Sequence, residues 1–163
     1  MPQTSDQFVD RYGGIYENST WVAEETYAAA ADVSEAGQLA NIFASCVDEA
    51  AHDRKLTLIR AHPDLAGKAA IAGDLTEESN DEQSSAGIDR CTSEEYAQFQ
   101  LLNAQYLEKF DFPFVMAVRN SNRGDILRTF AQRLKNGDKT EFATAIAEIH
   151  KIARLRLAVM DKP

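Results

Sequence analysis

Residues 138–160 read DKTEFATAIAEIHKIARLRLAVM. At about 100° per residue, Phe142, Ile146, Ile149, Ala153 and Met160 fall in one stripe, which predicts a long amphipathic helix. Asp138 with Glu141 three residues on makes a capping-box-like start. Asn136-Gly137 just before it closes the preceding helix, with Gly137 suited to a left-handed C-terminal position. Arg156 lies inside the apolar stripe, whereas Lys151 and Arg154 lie on the opposite face. A guanidinium stays charged and is costly to bury unpaired. Arg156 therefore pairs with a carboxylate such as Glu49 or Glu95, snorkels to water, or grips a planar anionic or carbonyl-bearing ligand.

The same periodicity recurs outward from this helix. Gln3 to Ile15 carries Phe8, Val9, Tyr12 and Ile15 and stops at Gly13-Gly14. Thr20, as a cap, opens a helix with Trp21, Val22 and Tyr27. Glu35 to Ile59 holds Leu39, Ile42, Phe43, Cys46 and Val47, then Leu56, Leu58 and Ile59, with a break near 51–53 that makes two helices. Thr92-Ser93-Glu94-Glu95 is a capping box, and its helix runs to Phe110 with Tyr96, Phe99, Leu102 or Asn103, and Tyr106 on one side. Asn122 to Lys135 repeats the pattern with Ile126, Leu127, Phe130 and Leu134. Between these helices, Phe112-Pro113-Phe114-Val115 reads as a short, buried, extended segment. Pro63 to Gly73 has little periodicity, and the polar stretch Asp74 to Arg90 reads as a surface loop. The expected fold is all-α: a single compact bundle of about seven or eight helices with one short extended segment.

A chain of 163 residues is most simply one domain, 1–163, and is long enough to bury roughly two-thirds of its unfolded surface. A net charge of −9 argues against binding nucleic acid or anionic membranes. It leaves room for an anionic small molecule, because a few basic groups in a cleft dominate locally. Two cysteines far apart, Cys46 and Cys91, make no disulfide framework or metal motif, and Cys46 reads as a small core residue. No apolar run reaches the roughly 20 residues that span a bilayer. Neither a secretory leader nor a peroxisomal tail is readable, so the cytoplasm is the expected compartment.

The strongest chemical candidate is His62, one of three histidines, in Ala61-His62-Pro63-Asp64-Leu65-Ala66-Gly67. Proline disfavours helix in the residue before it, so His62 stands at a helix end or in a turn. There it either packs as a cap or projects into a cleft as an acid–base group. His62, Asp64 and Glu82 could be written as metal ligands, but no His-x-x-x-His pair, cysteine pair or calcium loop supports that, and no metal is expected. There is no phosphate-binding loop and no nucleophile elbow.

Four segments stand in order along the chain. They are Ala61–Gly67, Asp81-Glu82-Gln83-Ser84-Ser85-Ala86-Gly87, Lys109-Phe110-Asp111-Phe112-Pro113-Phe114-Val115, and Ile149-His150-Lys151-Ile152-Ala153-Arg154-Leu155-Arg156-Leu157. Together with the opening Phe8–Ser19, they resemble the 2-oxo-4-hydroxy-4-carboxy-5-ureidoimidazoline (OHCU) decarboxylase family over nearly the whole chain. The resemblance implies a cofactor-free carboxy-lyase of urate degradation that converts OHCU to (S)-allantoin and CO2, and it suggests a homodimer. It places the catalytic roles on His62 and Glu82. It places substrate contacts on Pro63, Ser79, Gln83 and Arg156, and on the backbone around Phe114, Val115 and Ala117. Where the family usually has glycine after the Lys-Phe pair, this chain has Asp111. The rival reading is a non-catalytic helical module that holds a ureide or a partner protein.

The resemblance also frames a mechanism. Decarboxylation leaves two electrons on the carbon that CO2 departs, and the site must neutralise them and deliver a proton to one face. Arg156 would take up developing charge, with Phe112 and Phe114 keeping the pocket dry. His62 would carry a proton. Glu82 would either repel the substrate carboxylate as an anion or donate the proton that sets the configuration. Gln83 and Ser79 would orient the ureido group.

Overall fold

A computed structural model describes residues 3–161 of the chain. It is all-α, with nine α-helices and no strand among the described residues. The helices are α1 (Ser5–Tyr12), α2 (Trp21–Ala30), α3 (Ala36–Asp48), α4 (His52–Arg60), α5 (Lys68–Ala72), α6 (Glu77–Ser85), α7 (Ser93–Phe110), α8 (Arg123–Arg133) and α9 (Asp138–Met160), with one 3₁₀ turn at Ile88–Arg90. The residues fall into two compact units, Met1–Ala61 with Ile149–Pro163, and His62–Glu148.

In the first unit, α1 starts on a capping box in which Thr4 accepts from the Gln7 N–H and Gln7 accepts from that of Thr4. The Glu35 carboxylate caps α3 by accepting from the N–H groups of Gly37 and Gln38. Phe8 is fully buried and packs against Tyr12, Tyr27 and Phe43 with ring centroids 4.9, 5.6 and 6.2 Å away. These tilted and edge-on contacts are the favoured aromatic geometries. Thr20 stands at the α2 N-cap position but makes no cap; its hydroxyl donates to Glu24 instead. Cys46 is half-buried, with its thiol 3.7 Å from Glu25 Oε2, so it is not the core residue its neighbours suggested.

The second unit is built around Tyr106, whose ring meets those of Phe110, Phe112, Phe114 and Phe130 at 4.5–5.9 Å. Phe114 and Phe130 stack at 3.8 Å. The Thr92–Glu95 capping box opens α7 as its sequence predicts. Residues 113–118 form neither helix nor strand and carry buried Phe114, Val115 and Val118. Asp111 is the left-handed C-cap of α7 at φ +61. Aspartate is among the few non-glycine residues that tolerate this conformation.

Several local expectations give way. The stretch read as a surface loop, 74–90, contains α6 and the 3₁₀ turn, and the aperiodic 63–73 contains the short α5; this takes the helix number past seven or eight. Gly137 is not left-handed. Glu141 is no cap: it is fully buried and takes hydrogen bonds from Tyr106, Arg133 and Asn136. Along α9, Lys151 and Arg154 are exposed and Arg156 is buried, as the helical stripe predicts, but Met160 at its end is exposed.

Candidate active site

The helix α6 contains no apolar side chain (EESNDEQSS), yet it is folded in. Thr76 caps it by accepting from the Ser79 N–H at 3.2 Å. Ser79, Glu82 and Gln83 stand at i, i+3 and i+4 and so share one face, and all three are buried. Burying polar groups costs free energy unless hydrogen bonds replace water. A helix whose inward face is wholly polar therefore contributes little to a core, and it is what a polar ligand site requires.

The turn that follows His62 belongs to the same unit. His62 itself is 7% exposed, and Pro63 is half-buried. Gln83 reaches this turn with both ends of its amide: Oε1 accepts from the Ala66 N–H at 3.2 Å, and Nε2 donates to the Asp64 carbonyl at 3.3 Å. Desolvation pushes the Asp64 carboxyl above the ordinary aspartate range. In the segment after Phe112, the Val115 carbonyl accepts from Arg133 Nη1 at 2.6 Å. The Ala117 N–H donates to Glu148 Oε1 at 3.2 Å. The Arg133 guanidinium lies 4.3 Å above the Phe114 ring.

Arg156 belongs to the first unit. It is 4% exposed and pairs with Glu17 at 2.7 Å while Nη1 donates to the Gly14 carbonyl at 3.0 Å. Glu17, not Glu49 or Glu95, is its carboxylate; Glu95 pairs with Arg123 at 3.0 Å. The preceding Tyr16 is anchored as well. Burial pushes its phenol well above the usual range, and its hydroxyl is hydrogen-bonded to His150 Nδ1 at 2.8 Å, while His150 Nε2 lies 2.9 Å from the Asp48 carboxylate. His150 is thereby placed in a structural chain.

A cavity of about 530 Å³ opens in the second unit beside Ala66, Asn80, Gln83, Ile88 and Tyr96. That is within the usual range for small-molecule sites. His62 and Glu82 are not among its lining residues. Among the described residues no three His, Cys, Asp or Glu side chains stand together to hold a metal, and no helix is long and apolar enough to cross a membrane.

Residues 2–158 match the family model described as OHCU decarboxylase. The chain belongs to the OHCU decarboxylase family. It is 41% identical over 153 residues to the Haloferax volcanii 2-oxo-4-hydroxy-4-carboxy-5-ureidoimidazoline decarboxylase, covering 94% of this chain and 88% of that one. The Halalkalicoccus jeotgali protein of the same name is 40% identical over 158 residues, covering 97% and 87%. The fold is similar to a crystal structure of (S)-allantoin synthase, with TM-score 0.76 and 31% identity, covering 96% of this chain and 50% of that one.

Within the OHCU decarboxylase family frame, the structure brings Gln83 onto the His62 turn and Arg156 onto Glu17, and buries His62, Ser79 and Glu82. Sequence reading missed Glu17, although it stands in the opening stretch Phe8–Ser19. It also missed Gln100 and Asn103, which donate to the carbonyls of Ala66 and Leu65. A lone acid in a turn carries no periodic signal, and helical periodicity, which offers Asn103 as a position on the inner side of α7, says nothing of the carbonyls that the two amides serve.

Proposed function

We propose that this chain decarboxylates OHCU to (S)-allantoin and CO2, with His62 and Glu82 as the catalytic pair and Arg156 on the substrate. The observation that carries the reading is the family match across residues 2–158. The buried polar face of α6 supports it, because a helical binding module has no need to bury an acid beside an amide and a hydroxyl.

In the reaction, the bond between the ring carbon and its carboxylate breaks and CO2 leaves. The released electron pair forms a C=C bond to the neighbouring ring carbon, the C=N π pair moves onto the ring nitrogen, which takes up a proton, and an enol results. Protonation of the neighbouring carbon, with collapse of the enol to a carbonyl, yields allantoin. His62 carries protons for this exchange. Glu82 either disfavours the charged ground state or delivers the stereospecific proton; the two carboxyl roles are alternatives within one coupled pair. Arg156, oriented by Glu17 and the Gly14 carbonyl, presents a planar fork to carbonyl oxygens. Ser79 and Gln83 orient the ureido group; Gln83 Nε2 carries a second hydrogen beyond the one given to Asp64. Pro63 and the backbone at Phe114, Val115 and Ala117 shape the pocket. The Ala117 N–H is already taken by Glu148. The resemblance suggests a homodimer, and light scattering reads the assembly.

The test follows (S)-allantoin by circular dichroism while OHCU is generated in the cuvette. His62→Ala is expected to lower the rate by about 10²–10⁴-fold. Parental rates in His62→Ala would overturn its catalytic role. Arg156→Ala is expected to lose activity and Arg154→Ala, on the exposed face, to keep it; the opposite pattern removes Arg156 from the substrate.

A further inference from the structure

The backbone after His62 is irregular, and it receives its hydrogen bonds from side chains. Gln83 of α6 takes the Ala66 N–H and gives to the Asp64 carbonyl. Gln100 of α7 donates Nε2 to the Ala66 carbonyl at 2.7 Å, and Asn103 donates Nδ2 to the Leu65 carbonyl at 2.9 Å. Ala66 itself is left-handed at φ +54. An L-residue with a Cβ is strained there, and such a conformation persists only where its surroundings over-determine it.

Asn103 shows what the amides are for. Its Oδ1 is buried with no partner among the described residues. An orphaned buried carbonyl costs stability that an apolar residue of the same size avoids. The amide is useful at this position for the hydrogen bond that its nitrogen gives to Leu65. All three side chains are also neutral, so they hold the turn without adding charge beside the histidine.

We propose that Gln100 and Asn103, acting with Gln83, are positioning residues for His62. They fix the backbone of residues 64–66, and Pro63, whose ring restricts φ, carries that fix to the imidazole. The proposal rests on the reading of His62 as the acid–base group. Misplacing such a group by about 1 Å costs up to about a hundredfold in rate even when the substituted residue lies away from the chemistry.

Gln100→Met in the full chain removes the donated hydrogen bond and keeps the length of a half-buried side chain. With OHCU generated in the cuvette, kcat is expected to fall by about ten- to a hundredfold while KM stays within about twofold and the thermal midpoint moves by a few degrees. Adding Ala66→Gly, which adopts positive φ without a Cβ penalty, is expected to recover part of the lost kcat. A parental kcat in folded Gln100→Met, or a raised KM at parental kcat, overturns the proposal. If Gln100→Met folds poorly, Gln100→Ala is read in the same way. The parallel His62→Ala measurement separates the two levels. An active His62→Ala sinks the reading beneath, whereas an inactive His62→Ala beside a fully active Gln100→Met sinks the positioning role alone.

Discussion

The turn after His62 and the segment after Phe112 are both irregular backbone held by side chains, and they are held in opposite ways. Neutral amides hold the turn: Gln83, Gln100 and Asn103 each bond main-chain groups between Asp64 and Ala66. Charges hold the segment. Arg133 donates to the Val115 carbonyl and pairs with Glu141 at 2.9 Å; Glu141 also takes the Tyr106 hydroxyl at 2.6 Å and Asn136 Nδ2 at 2.9 Å. Arg133 Nη2 has no hydrogen-bond partner among the described residues, and its guanidinium lies over the Phe114 face, which attracts cations. A buried ionic set is satisfied only as a set, so removing one member strands the rest. A neutral amide fails locally. The chain keeps the ionic device inside the aromatic core around Tyr106 and the neutral one beside the histidine that, in the proposed reaction, must exchange a proton.

The largest effect should come from breaking the ionic hold. Glu141→Leu leaves a nearly fully buried Arg133 uncompensated and is expected to cost about 3–5 kcal/mol in denaturant unfolding. Adding Arg133→Met to it is expected to cost less than the two single changes summed, because the second change removes the stranded charge. Strict additivity would show that the two side chains do not act as one device. A smaller cost, about 1–3 kcal/mol, is expected for Gln83→Leu, which leaves the Ala66 N–H and the Asp64 carbonyl without their partner. If Gln83→Leu costs as much as Glu141→Leu, the contrast between local and collective failure is wrong.

What the sequence discloses of these two regions differs for a physical reason. The helices α3, α7, α8 and α9 are legible because apolar side chains recur with the helical period and Thr92-Glu95 announces a start. Helix α6 is illegible by the same rule, because the face it buries is Ser79, Glu82 and Gln83. A stripe of polar residues at i, i+3 and i+4 behind Thr76 was the available signal, and it reads as a solvated loop to any rule keyed to hydrophobicity. Arg156 was found because a charge interrupts an apolar stripe. Its partner Glu17 was not, since pairing across 139 positions leaves no local trace. Glu141 shows the converse failure: its spacing from Asp138 imitates a cap, but tertiary burial against Tyr106 and Arg133 decides its role.

The smallest effect separates the two holds by pH. Burial first, and then the hydrogen bond to Glu141, push the Tyr106 phenol above its usual range. The folded chain therefore keeps this proton where the unfolded chain, with an ordinary value of about 10, releases it. With fewer protons bound in the unfolded state, stability falls as pH rises above that value and is untouched below it. Tyr106→Phe loses one hydrogen bond to Glu141 and is expected to cost about 1 kcal/mol at neutral pH, since Arg133 and Asn136 still serve the carboxylate. Above pH 10 the phenylalanine variant has no such proton to keep, so its deficit against the parent is expected to close by up to about 1.4 kcal/mol per pH unit. The deficit of Gln83→Leu is expected to stay level over the same range, because neither leucine nor the amide titrates. Chemical unfolding of parent and both variants at pH 8 and pH 11 reads the difference. A constant Tyr106→Phe deficit would mean that the phenol proton is not bound to the folded state, and the charged hold would then be no more sensitive to pH than the neutral one.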